Sequence, residues 1–215
     1  MTRPVATTEA SGRRLGRERR IDQRAVLADT RRMDGAALKR EFDRDLILND
    51  GACVRLRPIV AEDEAGLIAL HGRLSQQSAY QRFFTIMPRL SSNWAHHLAN
   101  VDYQQRLALV AVDPQTADLI GVARYEATSD PLTAEVAFVV QDSWQNRGLG
   151  TRLFGELMRA AALNGFVRFR AWVLGDNRRM LDLIARFGAL VALTLDQGVV
   201  DVVFEPPPRA GASLR

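Results

Sequence analysis

The chain has a single cysteine, Cys53, among its 215 residues, and this scarcity limits the chemistry it can carry. One thiol cannot form an internal disulfide, and the three histidines do not join it in the spacing of a zinc site. We therefore expect no bound metal and a cytoplasmic protein in a reducing compartment. Cys53 is expected to pack within the first strand of the folded body rather than to react.

Long apolar runs are missing as well. No stretch approaches the ~18 consecutive apolar residues that a transmembrane helix requires. The arginine-rich N-terminus also lacks the apolar segment of a secretory signal. We expect no membrane partner.

Lysine is almost absent, since Lys39 is the only lysine among 29 basic residues. The net charge of +4 belongs to the N-terminal segment, because residues 1–45 carry 12 basic and 8 acidic side chains and the remainder is balanced. A basic arm can attract nucleic acid or an acidic partner. The interleaved acids favour a solvated arm instead, so nucleic acid is not an expected partner.

Composition predicts three regions. Residues 1–50 form a basic arm that is disordered over 1–20, where large apolar groups are few. Within 21–47, Leu38, Phe42 and Leu46 have helical spacing, and either a docked helix or a partly ordered linker fits that pattern. Residues 51–205 form the folded domain, and residues 206–215 form a disordered tail.

Alternating and helical patterns predict an α/β domain. Period-2 runs predict strands, and i, i+3/i+4 apolar stripes predict the helices that cover them. Three strands with short links precede the central helix, which favours an antiparallel meander. The predicted strands are 52–59, 106–112, 119–126, 133–140, 167–173, 189–195 and 199–204, which gives a mixed, mostly antiparallel, twisted sheet of about seven strands with flanking helices.

The segment from Gln145 to Thr151 is the centre of the functional prediction. It lies between an extended apolar run, 134–140, and an amphipathic helix. The first N–H groups of such a helix lack partners within it, and the helix dipole favours an anion there. Gly148 and Gly150 allow phosphate to approach the backbone closely. A plain strand-to-helix turn with a capping glycine would have the same outline.

The pattern Gln145-x-x-Gly148-x-Gly150 resembles the acetyl-CoA-binding motif of the Gcn5-related N-acetyltransferase (GNAT) superfamily. A second match is the strand at 167–173, followed by Asn177 and a helix that ends at Gly188. The resemblance covers about residues 52–205. Segments 74–84 and 134–140 are most similar to bacterial protein lysine acetyltransferases.

The resemblance implies that the strands at 133–140 and 167–173 splay apart and hold the pantetheine arm of acetyl-CoA, or of another short acyl-CoA, between them. A splayed strand exposes backbone groups that the amide-rich arm can pair with. The implied cofactor contacts are Phe138, Val139, Val140, Gln145, Asn146, Arg147, Gly148, Leu149, Gly150, Thr151, Asn177 and Met180.

The implied reaction is attack of a neutral amine on the thioester, so a lysine with a reference pKa near ~10.4 must first lose a proton. Glu135 matches the catalytic glutamate of the bacterial enzymes and is the predicted general base. Glu126 is the alternative candidate for that role. Tyr80, Arg82 and Glu126 are the predicted acceptor contacts. Many members place a Tyr seven residues after the Asn as general acid, and here that position is Ile184.

Three functions remain open from the sequence. The first is an acetyl-CoA-dependent N-acetyltransferase that acts on protein lysines by direct transfer in a ternary complex. The second is an acetyltransferase for a small amine, which a deeply acidic acceptor pocket would favour. The third is a non-catalytic acyl-CoA-binding sensor or interaction module.

Overall fold

A single sheet of eight strands organises the computed structural model, which describes residues 35–207. Seven of the strands agree with the predicted ones. Predicted disorder in residues 1–20 and in the tail beyond residue 207 lies outside the described residues. The strands are β1 (Arg44–Ile47), β2 (Cys53–Pro58), β3 (Arg106–Val112), β4 (Leu119–Ala127), β5 (Thr133–Val140), β6 (Arg168–Leu174), β7 (Ala189–Asp196) and β8 (Val199–Glu205).

The spatial order of the strands is β1-β2-β3-β4-β5-β6-β8-β7. Every neighbouring pair is antiparallel except β5 and β6, which run parallel because α5 crosses between them. The helices are α1 (Gly35–Phe42), α2 (Glu64–Gly72), α3 (Gln76–Phe83), α4 (Ser92–Ala99), α5 (Leu149–Leu163) and α6 (Arg178–Phe187). The predicted mixed, mostly antiparallel α/β sheet is confirmed, with one strand more than expected.

The helices divide between the two faces of the sheet. On one face α1, α5 and α6 cover a large apolar cluster that includes Tyr125, Phe154 and Phe204. On the other face α2 and α4 cover a smaller cluster built around Leu70 and Val110. Burial of these side chains on both faces is the main contribution to the stability of the fold.

The sheet begins earlier than residue 51, where the sequence placed the start of the domain. Leu38 and Phe42 of α1 are fully buried against the core, and the Arg159 guanidinium lies 4.3 Å from the centre of the Phe42 ring. Strand β1 pairs with β2 along its whole length. Residues 35–42 therefore form the docked helix that the spacing of Leu38 and Phe42 allowed, whereas Leu46, assigned the same helical spacing, lies in strand β1.

Strands β5 and β6 pair over only three positions, from Thr133–Arg168 to Glu135–Arg170. Beyond Glu135 they separate, while β5 stays paired with β4 as far as Val140. The splay that the GNAT resemblance implied is thus present. It leaves the edge of β5 from Val136 onward without a neighbouring strand in the described part of the chain.

Cys53 corrects one expectation. It is the first residue of β2, but its side chain is exposed rather than packed. The reason is the alternation of the strand, in which Val54, Leu56 and Pro58 take the buried positions.

Within residues 35–207, no helix has the length and apolar character to cross a bilayer.

Candidate active site

A cleft of about 510 Å³ opens where β5 and β6 separate. It runs between α3 on one side and α6 on the other, with the start of α5 at one end. Its lining residues include Asn49, Ser78, Gln81, Arg82, Phe84, Glu135, Phe138, Val139, Val140, Gln145, Asn146, Gly148, Gly150, Thr151, Trp172, Asn177, Arg179, Met180, Asp182 and Arg186.

The loop before α5 presents backbone N–H groups to this cleft. Gly148 is the N-cap of α5 with a φ of 87°, a left-handed conformation that favours glycine. No side chain caps the helix at this residue, so the first-turn N–H groups of this 15-residue helix face the cleft end uncapped. Together with the helix dipole they form a site suited to phosphate.

Hydrogen bonds to α3 and β5 hold the same loop in place. Asp142 accepts hydrogen bonds from the Ser75 hydroxyl at 2.7 Å and the Ser78 hydroxyl at 2.8 Å. The Gln145 side chain donates to the Ser78 hydroxyl at 3.1 Å and to the Val140 carbonyl at 3.0 Å. Gln145 therefore connects the loop before α5, residues 141–148, to β5. We call this segment the phosphate-site loop.

Ten of the twelve predicted cofactor residues line the cleft, and Arg147 and Leu149 do not. The Arg147 guanidinium instead pairs with Asp50 and lies 4.2 Å from the centre of the Trp144 ring. Leu149 is fully buried in an apolar cluster. Asn177 lines the cleft and also caps α6, since its side chain accepts a hydrogen bond from the Met180 N–H at 3.2 Å.

Glu135 lies at the point where the two strands part. Its side chain is exposed in the cleft, and its carboxylate accepts a hydrogen bond from the Trp172 indole N–H at 3.2 Å. No cation lies within ion-pair distance of it among residues 35–207. A carboxylate that is oriented but not neutralised can take up a proton from a substrate.

Glu126 faces Glu135 directly across the β4–β5 ladder, but its environment differs. The Arg124 guanidinium donates to the Glu126 carboxylate at 2.7 Å, and Arg106 lies 3.8 Å away. Glu126 does not line the cleft. Its charge is already compensated, so the geometry favours Glu135 over Glu126 as the base.

The predicted acceptor residues separate in the structure. Arg82 lines the cleft, whereas Tyr80 does not and is 44% exposed. Loss of hydration lowers the pKa of Arg82 to about 10, and Arg124 adds to the decrease while Glu126 and Glu135 oppose it. Arg82 therefore remains a cation near neutral pH, although it forms no ion pair with either carboxylate.

Several residues that line the cleft were not predicted from the sequence. Trp172 could have been inferred, because Ala171 and Val173 alternate with it and belong to the buried face of β6. No local pattern could have placed Asn49 at the cleft, because its contact is with Arg147, which lies far away in the sequence. The other lining residues that were not predicted are Ser78, Gln81, Phe84, Val136, Ala137, Val173, Arg179, Asp182, Leu183 and Arg186.

Two features limit the chemistry of the cleft. Its lining, taken from residues 35–207, contains no Tyr, His, Cys or Lys, and Ile184 is fully buried in the core. No three His, Cys, Asp or Glu side chains of the described residues come together as metal ligands would. The charged groups of the lining are therefore carboxylates and guanidiniums, and its other polar groups are side-chain amides, hydroxyls, the Trp172 indole N–H and backbone amides.

Comparison with known proteins agrees with this geometry. The model of the acetyltransferase (GNAT) family matches residues 74–189. Acetyltransferase Pat of Mycolicibacterium smegmatis is 33% identical over 154 residues, covering 71% of this chain and 46% of Pat. Acetyltransferase PA5475 of Pseudomonas aeruginosa is 32% identical over 143 residues, covering 66% and 77%.

A solved structure, the GNAT domain of S. lividans PAT, has a TM-score of 0.70 at 32% identity, over 77% of this chain and 97% of that chain. This chain spans about half the length of the M. smegmatis Pat, at 46%. The family match, the shared fold and the cleft at the strand splay lead to one assignment: the chain belongs to the GNAT family and is an acetyltransferase.

Proposed function

We propose that the protein transfers the acetyl group of acetyl-CoA to a lysine side chain of an acceptor protein. Both substrates bind together, and the amine attacks the thioester directly. The observation that carries the proposal is Glu135, an unneutralised carboxylate in the cleft, three residues before the edge segment 138–140. The resemblance of segments 74–84 and 134–140 to bacterial protein lysine acetyltransferases supports the choice of acceptor.

The coenzyme would extend from the α5 end of the cleft along β5. Its pyrophosphate meets the N–H groups of residues 148–151, and its pantetheine arm pairs with the free edge of Val139 and Val140 as an added strand would. The thioester then lies near Glu135. A backbone N–H near Val139 stabilises the negative charge that develops on the thioester oxygen.

Glu135 acts as the general base on the incoming ammonium. The Trp172 N–H holds the carboxylate in place at 3.2 Å, so its free oxygen can accept the proton. Attack by the neutral amine forms the new C–N bond as the C–S bond breaks, and CoA leaves as the thiolate. Arg82, which interacts electrostatically with Glu126 and Glu135, adds positive charge to the lining of the cleft.

The charge of the cleft disfavours a polycationic small molecule. The charged lining residues are two carboxylates, Glu135 and Asp182, and three guanidiniums, Arg82, Arg179 and Arg186. An aminoglycoside or polyamine would be attracted by an acidic pocket, and this one has an excess of arginine. A purely binding function leaves an oriented, uncompensated carboxylate in the cleft without a role.

A thiol-release assay with purified protein tests the proposal. Wild-type protein and acetyl-CoA are incubated with lysine-containing proteins, short lysine peptides and a panel of small amines, and free CoA is titrated. We expect release with the lysine proteins and none above background with the small amines. Efficient release with a small amine alone would assign the second function, and coenzyme binding without release would assign the third.

A further inference from the structure

The turn between β1 and β2, residues 48–52, contacts the loop that precedes α5. The Asn49 N–H donates to the Arg147 carbonyl at 3.1 Å, and the Asp50 carboxylate pairs with the Arg147 guanidinium. Leu48 is buried in the same apolar cluster as Leu149. A backbone hydrogen bond, an ion pair and apolar packing thus hold the turn against the phosphate-site loop.

The Asn49 side chain lies directly over Gly148. A Cβ at Gly148 would come within 2.7 Å of the Asn49 side-chain nitrogen, so the amide covers the α-carbon of the helix N-cap. Asn49 also lines the cleft. Its side-chain amide has no hydrogen-bond partner within residues 35–207, which leaves an N–H₂ donor at the N-terminus of α5.

Arg147 does not supply the charge that a pyrophosphate would meet. Its guanidinium is turned out of the cleft, and the hydrogen bond from Arg147 holds the pKa of Asp50 below its usual range. The Asp50–Arg147 pair therefore acts to position the loop. The donors at this end of the cleft include the backbone N–H groups of the loop and the Asn49 amide, and the Arg179 guanidinium lies 3.5 Å from the Gln145 side-chain oxygen.

We propose that Asn49 is a further coenzyme-binding residue, whose side-chain amide donates a hydrogen bond to the pyrophosphate. This inference rests on the proposed function, because it places the pyrophosphate at Gly148. It also gives the segment before the predicted domain a role in the site. A hydrogen bond from a neutral donor to an anion is stronger than one between neutral groups.

The test compares Asn49→Ala and Asn49→Asp with wild type in three titrations. CoA and 3′-dephospho-CoA are measured by calorimetry, and pantetheine, which has no phosphate, is measured by NMR. We expect Asn49→Ala to bind CoA and 3′-dephospho-CoA roughly tenfold to hundredfold more weakly than wild type does. Pantetheine binding should be unchanged.

Asn49→Asp should lose more affinity than Asn49→Ala, because its carboxylate faces the pyrophosphate, and the excess should shrink at high salt. Gln105→Glu is the matched control: it adds the same charge at an exposed position before β3, away from the cleft lining. We expect that control to bind CoA as wild type does.

Three outcomes would overturn the inference. They are wild-type affinity of Asn49→Ala for CoA, a loss for CoA but not for 3′-dephospho-CoA, and an equal loss for pantetheine. The second would move the contact to the ribose 3′-phosphate, and the third would indicate a distorted cleft. If wild-type protein binds no CoA, both the proposed function and the inference fail. If wild-type protein binds CoA and Asn49→Ala binds it equally well, only the inference fails.

Discussion

Replacing Glu135 with glutamine should separate coenzyme binding from acetyl transfer. The substitution keeps the shape of the side chain, and the Trp172 indole N–H, 3.2 Å from the carboxylate, can donate to the amide oxygen instead. The cleft wall therefore stays as it is, and acetyl-CoA affinity should be unchanged. The ability to accept a proton from the acceptor amine is lost.

The expected magnitude follows from the protonation of lysine. A positioned general base contributes about 10²–10⁴ in rate, which corresponds to roughly 2.7–5.4 kcal/mol at ~1.36 kcal/mol per tenfold. With a reference pKa of 10.4, about one free lysine in 2,500 is neutral at pH 7 and about one in 25 at pH 9. The variant should therefore be at least about 100-fold slower at pH 7, and its rate should rise roughly 100-fold by pH 9.

Thiol release between pH 6.5 and 9.5 measures the rates, and calorimetry measures acetyl-CoA affinity. Glu126→Gln is the matched control, since it removes a carboxylate on the same sheet face that does not line the cleft. It should keep the transfer rate but lower the melting temperature, because the buried Arg124 loses its partner. A wild-type rate in Glu135→Gln, or a parallel loss in Glu126→Gln, would refute the assignment.

Three further predictions concern the coenzyme, the base and the single lysine. Gly150→Asp should abolish CoA binding in calorimetry, because its carboxylate would enter the phosphate site. Gly150→Ala should fold normally, because a Cβ at this position makes only ordinary contacts, of which the Phe138 ring at 3.5 Å is the nearest. Wild-type affinity in the aspartate variant would contradict the phosphate site. Trp172→Phe removes the N–H that orients Glu135 and should lower kcat about threefold to tenfold, with an unchanged kcat as the contrary result. Lys39 is exposed on the docked helix α1 rather than in a flexible linker, so any side-chain autoacetylation should rise with protein concentration and disappear in Lys39→Arg. Intact mass spectrometry measures it, and an acetyl adduct that persists in Lys39→Arg would contradict the prediction.

The strands and helices of the domain could be predicted closely because their patterns are local. β3 and β5 match the predicted bounds of 106–112 and 133–140, and α5 begins at Leu149, within the Gln145–Thr151 segment after which a helix was expected. These segments are apolar with a clear period, so tertiary contacts reinforce the local preference. The phosphate-site loop was predictable for the same reason, since strand, glycines and helix follow one another in the chain.

The first helix and strand illustrate what local patterns omit. β1 is four residues long, and its half-buried positions and its exposed positions each carry one charged and one apolar side chain. Its strand conformation depends on the hydrogen bonds to β2, which no single-segment pattern contains. The contact of Asn49 with Gly148 has the same origin, because it exists only after β1 joins the sheet.

The departure at Ile184 bears on how CoA leaves. The GNAT resemblance led us to expect a tyrosine seven residues after Asn177, whereas the Ile184 side chain at that position packs among apolar residues of the core with no exposed surface. None of the three tyrosines lines the cleft. Tyr80 is exposed outside it, the Tyr103 hydroxyl donates to the Ile59 carbonyl at 2.7 Å, and Tyr125 is fully buried, with its hydroxyl bonded to Asn164 and its pKa raised by burial. A thiol has a reference pKa near ~8.5, far below that of an alcohol, so a thiolate can depart without a protein acid. In the proposed reaction, catalysis thus depends on the base and on stabilisation of the oxyanion, and water can protonate the CoA thiolate after it has left.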